Sequence, residues 1–362
     1  MFMVIILSAG SKSCFARQDL QIGNSHSLST PRYCANFRTN DGKIFKLSYR
    51  ALVDHIVLLR LVTAHPEITE PGETLNYFIE DYCRRMARQE MNTRHQQRAL
   101  PWQIEWIWHV HRLHPVAYND DCTKQLSSRQ VVDKKYRRVR MKEHERHHST
   151  VFSEPIRNRA TFVPSLDLVS AVIRQRDFLQ KFQRHHLFSQ NLIDVTRDWF
   201  EQMVQNYISF LKLAIQGEII VPTFDIDLMW HTHMRFPAFY QRTSIKLCGF
   251  VLDHNDSINN ATLADAYQKT ADRWRQTYKV NYGENIPKDK LRYSQYVSSC
   301  AIIVAPLGAS GDSYGGGCGG GCGGGAGGGG YGGGGCGGDG GGGDGGGGDG
   351  GGCGGCGGCG GD

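Results

Sequence analysis

The residues best suited to chemistry in this chain fall into two matching sets. Glu105, Trp108, His109, His111, Pro115 and Tyr118 stand in EWIWHVHRLHPVAY, and Asp227, Trp230, His231, His233, Pro237 and Tyr240 stand in DLMWHTHMRFPAFY. Each position of the first set returns 122 residues later, with Asp in place of Glu as the one change. A carboxylate and two imidazoles in so short a span can hold a metal or move a proton. In a helix, where each residue turns about 100°, the two histidines of each pair diverge, while the acid and the first histidine, four apart, share a face. A carboxylate one turn before an imidazole accepts its ring N–H and raises the basicity of the other nitrogen. Metal-binding and catalytic histidines are held in this way. In a strand the two histidines of each pair would share a face instead. Pro115 and Pro237 suit the first turn of a following helix, which favours helix, tight turn, helix.

Two readings of these sets stand side by side. In one, acid, His, Trp, Pro and Tyr lock a turn between helices, with indole and phenol filling core volume and their polar tips hydrogen-bonded. In the other, His109 and His231 meet in a pocket shared by the two copies and hold zinc or another soft metal. Cys122 is the nearby thiol in the first copy, and Ser244 takes its place in the second, a mismatch that counts against the metal. No hydrolase elbow, phosphate loop or dinucleotide fingerprint occurs in the body. HERHH at 144–148 has the wrong spacing for a zinc-protease helix.

The elements that must position these residues follow from periodicity. Leu52, Ile56, Leu59 and Val62 recur at helical spacing from Ser48 until His65 and Pro66. A second helix starts near Pro71 or Glu73 and runs through Leu75, Phe78, Tyr82 and Met86. Ser165 is placed to cap a helix carrying Leu166, Val169, Ile173 and Phe178, and 193–214 reads as a long amphipathic helix. A final helix spans 262–279. The expected class is mainly α, with two pseudo-repeats, each two helices followed by a WHxH helix-turn-helix, packed together. The expected segments are an irregular 1–44, a first repeat at 45–123, a basic linker at 124–160, a second repeat at 161–285, a further linker at 286–307 and a tail at 308–362.

Composition separates the tail from the body. Of the 45 glycines, 38 lie after Leu307, a bias that forms no packed core and points to a disordered tail. Its cysteines, Cys353, Cys356 and Cys359 among them, are candidates for loose soft-metal binding or redox cross-linking. It contains no arginine, so RGG-type RNA binding is excluded. All 41 Lys and Arg precede the tail, so the body is more basic than the formal +6 of the whole chain. Residues 124–148 hold nine Lys or Arg against three acids, enough for weak, non-specific attraction to nucleic acid or an acidic surface. The expected state of that run is a solvated loop.

No apolar stretch is long enough to span a membrane. MFMVIIL lacks the charged region that precedes a signal core, so the expected location is intracellular and cytoplasmic. Secretion as a structural glycine-rich protein is the alternative.

VPTFDIDLMWHTHMRFPAFY with LCGFVLDHND after it, WIWHVHRLHPVAYNDDC upstream, and the CGGGCGGG-type terminus together resemble the glycine-rich domain-containing proteins of plants and other eukaryotes. The resemblance covers roughly residues 45–285 and the tail. It implies a domain whose function is largely uncharacterised, and no RNA-recognition motif accompanies it here. The functional expectation is a non-enzymatic binding or scaffold protein with an unknown protein partner. The alternative is a metal- or thiol-dependent protein whose repeats share a histidine site.

Overall fold

The run YRALVDHIVLLRLVTA is apolar around nearly its whole circumference, the pattern of a helix buried on all sides. In the computed structural model, which describes residues 30–137, 162–283, 298 and 300–303, it forms helix α1 (Tyr49–Ala64). Just before it, β1 (Cys34–Arg38) and β2 (Ile44–Ser48) pair as an antiparallel hairpin, Cys34 opposite Ser48 and Arg38 opposite Ile44. Gly42 makes the turn at φ +80°, a conformation that side chains disfavour. β1 lies within 1–44, where periodicity predicts an irregular segment. Five residues of weak alternation give too little periodic signal to reveal it.

The first half continues with α2 (Glu73–Ala87), a short α3 (Arg94–Arg98), α4 (Trp102–Arg112) and α5 (Pro115–Gln125). Thr93 and Gln96 form a reciprocal capping box at the start of α3. The second half contains α6 (Leu168–Arg184), α7 (Arg197–Leu211), α8 (Phe224–Met234) and α9 (Pro237–Cys248). The side chains of Asp167 and Thr196 accept from Ser170 N and Trp199 N at the starts of α6 and α7, satisfying amides that the helix leaves open. The cap of α6 is therefore Asp167 and not Ser165, which is held by Asp121 instead. After α9 come β3 (Asp253–Asn255), α10 (Asn260–Tyr278) and β4 (Ala301–Ile303). β3 and β4 pair antiparallel with His254 opposite Ile302, and Ile220 bridges to Ile302.

The protein is mainly helical, as its periodicity predicts. α1 packs against α4, α6 and α8, so the central helix touches both WHxH helices, and α5 packs against α9. A continuous apolar core includes Leu52, Ile56, Leu59, Trp106, Trp108, Phe200, Tyr207 and Trp230. Burial of each large apolar side chain stabilises the fold by about 1.5–3 kcal/mol.

Among the described residues no helix is long and apolar enough to cross a membrane. The part of the basic run that is described, up to residue 137, is not wholly solvated, because Lys134 is buried. The rest of that run, HERHH and the glycine-rich tail with Cys353, Cys356 and Cys359 lie outside the described residues.

Candidate functional site

Both WHxH segments are helices broken by a tight turn at the residue before proline, His114 and Phe236. The same bonds hold each turn. Trp108 Nε1 donates to Tyr118 Oη at 2.9 Å, and Trp230 Nε1 donates to Tyr240 Oη at 2.9 Å. Each phenol passes its own proton onward, Tyr118 to the Val132 carbonyl and Tyr240 to the Leu252 carbonyl, both at 2.7 Å. The second histidine of each pair meets a tyrosine on the preceding long helix: His111 Nδ1 lies 2.8 Å from Tyr82 Oη, and His233 Nδ1 lies 2.8 Å from Tyr207 Oη. Indole, phenol and second imidazole thus form a similar lock in both segments, to which His111 adds a contact of its Nε2 with Asp121 Oδ2 at 3.0 Å.

The divergence expected of residues two apart on a helix is present. While His111 and His233 turn outward to these tyrosines, His109 and His231 turn inward. Their ring centroids stand 6.1 Å apart, and His55 of α1 lies 4.8 Å from His109 and 6.5 Å from His231. All three rings are buried. Burial first, then the surrounding cations, holds His109 and His55 well below the usual histidine range, so both are neutral. Among the described residues neither ring nitrogen of His109 has a hydrogen-bond partner.

The two acids behave differently. Asp227 follows the expected rule, with Oδ1 3.1 Å from His231 Nε2 one turn later. Glu105 does not serve His109. It accepts from Lys134 Nζ and from Arg235 Nη2, and Asp54 of α1 lies 3.2 Å from Lys134 and 3.0 Å from Arg235. Arg112 stacks over Trp108, 3.8 Å from the ring centroid, and donates to the Arg235 carbonyl. This ion cluster joins α1, both copies and the segment after α5. A helical-wheel argument could not reveal it, since the partners come from four separate stretches of chain. One signal was present: Asp54 and His55 fall between the apolar residues Val53 and Ile56 of a largely apolar helix, and a helix buries polar groups only when something answers them.

Around Asp227 a second group converges that the motif did not disclose. His254 Nε2 lies 3.0 Å from His231 Nε2, and Cys300 Sγ lies 3.1 Å from Asp227 Oδ1. Ser298 Oγ donates to Asp227 Oδ2 at 2.5 Å. Burial, followed by the charge of Asp227, pushes the Cys300 thiol well above its usual range. His254 was visible within LCGFVLDHND, but nothing in one sequence ties it or Cys300 to His231. Cys122 is buried beside Tyr118 and the Val132 backbone, and burial raises its thiol to about 11.

The copies also exchange contacts across their interface. Asp133 Oδ1 accepts from Ala238 N at 3.3 Å in the first turn of α9, and the Val116 amide in the first turn of α5 acts on the Asp253 carboxyl, opposing the rise to about 6 that burial causes. Neither proline-led helix has a side-chain cap of its own. α9 receives its acid from the segment after α5 and α5 has one beside it from β3, where the helix dipole favours a carboxylate.

The family model described as glycine-rich domain-containing protein-like matches residues 122–243. Glycine-rich domain-containing protein 1 of Arabidopsis thaliana is 31% identical over 219 residues, covering 50% of this chain and 25% of the relative. Glycine-rich domain-containing protein 2 of the same plant is 31% identical over 211 residues, covering 50% of this chain and 26% of the relative. The chain thus spans about a quarter of the length of these curated relatives. No solved structure matches it.

Proposed function

We propose that this chain, similar to the glycine-rich domain-containing proteins over half of its length, is a member of that family whose body is a non-enzymatic scaffold that binds a protein partner. The observation that carries this reading is the burial of the motif itself. Trp108, His109, His111, Tyr118, Trp230, His231, His233 and Tyr240 are each at most 1% exposed. A reaction centre must admit a substrate to its acid, base or nucleophile, and these groups are closed off from solvent. Duplication here builds a rigid frame from two interlocked halves.

The test couples turnover to partner capture. Purified full-length chain should show no hydrolase or transferase turnover on a broad substrate panel. Immobilised chain should recover a defined protein at near-equal stoichiometry after a high-salt wash. Turnover lost in both His109→Ala and His231→Ala, with folding intact, would replace the scaffold reading by an enzymatic one. A second reading, a metal-dependent protein with a histidine site shared by the two copies, is favoured by the 6.1 Å approach of His109 and His231. It requires metal binding to depend on both residues.

A further inference from the structure

We propose that Asp227, His231, His254 and Cys300 form a structural zinc(II) site belonging to the second copy alone. One donor atom from each lies within 4.8 Å of the other three, and all four residues are buried. Tetrahedral zinc with bonds of about 2.0–2.3 Å separates its ligand atoms by roughly 3.3–3.8 Å, so this cage is of the right size. One carboxylate, one thiolate and two neutral imidazoles sum with a dication to zero charge, the condition under which a buried ionic group is tolerated.

Hydrogen bonding alone serves this cluster poorly. His231 Nε2 faces both Asp227 Oδ1 at 3.1 Å and His254 Nε2 at 3.0 Å, and Cys300 Sγ is directed at the same Oδ1. One proton on His231 Nε2 cannot satisfy two acceptors well, and a protonated His254 Nε2 would face it donor to donor. A cation among the four atoms takes a lone pair from each. Ser298 holds the outer oxygen of Asp227 at 2.5 Å and leaves Oδ1 turned inward, the support that ligating carboxylates receive.

The first copy shows how the fold answers the same acid without a metal. Tyr118 donates to the Val132 carbonyl where Tyr240 donates to the Leu252 carbonyl, so the residues two further on, Lys134 and His254, are structural counterparts. Lys134 sends its ammonium to Glu105, supplying one positive charge from the chain itself. At the corresponding place the second copy offers a buried imidazole in place of the ammonium, and a buried thiol joins it. The β3–β4 pairing brings that thiol in. His254 is opposite Ile302, and Cys300, two residues before Ile302, falls on the same face of the ribbon. Bound zinc would therefore fasten the segment that leads into the glycine-rich tail onto α8.

The experiment uses full-length chain in which the six tail cysteines are replaced by serine, so that the tail cannot contribute thiolates. With zinc supplied, this chain should retain about one metal per molecule through dialysis. With cobalt(II), it should show tetrahedral visible bands and a near-ultraviolet thiolate charge-transfer band. His254→Ala and Cys300→Ser should each weaken zinc binding at least about tenfold, while Cys122→Ser and His109→Ala should leave it unchanged. Equal dependence on His109 and His231, with no effect of His254 or Cys300, would shift the site to the shared pocket and overturn this assignment. If a variant fails to fold by circular dichroism, the cobalt spectrum of the folded parent chain decides. Absence of the thiolate band, or of stoichiometric zinc, rejects the site.

Discussion

Trp108 and Tyr118 show how much one shared hydrogen bond determines. The indole N–H, the phenol and the Val132 carbonyl form a buried chain, so Tyr118→Phe strands both a donor and an acceptor. Each stranded group costs about 1–3 kcal/mol, so urea denaturation should show a loss of about 2–6 kcal/mol. Trp108→Phe combined with Tyr118→Phe should cost less than the sum of the two, because the partners act as a unit. The same pattern is expected for Trp230 and Tyr240. Lys134 carries a different prediction. Lys134→Ala leaves two buried acids, Glu105 and Asp54, sharing the cation Arg235 and should destabilise by about 3–5 kcal/mol, whereas replacing Lys134, Glu105, Asp54 and Arg235 together by apolar residues should recover much of the loss. A surface lysine, as the basic composition of 124–148 implies, would give less than about 1 kcal/mol. The side chain lies with a buried pair of acids instead, because the segment after α5 brings it beside Asp54 of α1 and Glu105 of α4.

At the scale of elements, the proline-led helices α5 and α9 are the informative ones. Pro115 and Pro237 mark their starts in the sequence, as proline does at a first helical turn. The acids at their starts were not legible, because Asp133 comes from the segment after α5 and Asp253 from β3. Asp133→Ala should therefore lower stability by about 0.5–2 kcal/mol. In hydrogen exchange the increased opening should appear at the start of α9, not near residue 133. Protection lost only around residue 133 would remove this cap. The β1–β2 hairpin and the β3–β4 ribbon were also hidden from periodicity. Their strands are three to five residues long, and their partners are fixed by tertiary contact.

For the whole molecule, the dense burial of imidazoles makes acid the chief stress. Burial depresses His111, and burial together with nearby cations brings His114 down to about 4, against the pull of Asp256. A base with a depressed folded pKa is protonated first in the unfolded chain, so its stability is complete above about pH 6.5 and lost as pH falls toward 4. Between those limits each such histidine should contribute a slope of about 1.4 kcal/mol per pH unit. Urea midpoints measured from pH 7 to pH 4 should fall accordingly, and His114→Gln should flatten the profile by about one proton. A flat profile in the parent chain would mean that these rings are not held neutral.

The sequence by itself determined the helical class, the duplication, the turn at each proline and the outward and inward split of each HxH pair, because all of these depend on spacing within one helix or on direct repetition. The tertiary structure alone decided which acid serves which base. Glu105 and Asp227 occupy equivalent helix positions, yet one is met by Lys134 and Arg235 and the other by His231, Cys300 and Ser298. The physical reason is that a buried carboxylate takes whichever donor or cation the fold brings within reach. Those groups arrive from segments up to 130 residues away, beyond the range over which helical periodicity carries information.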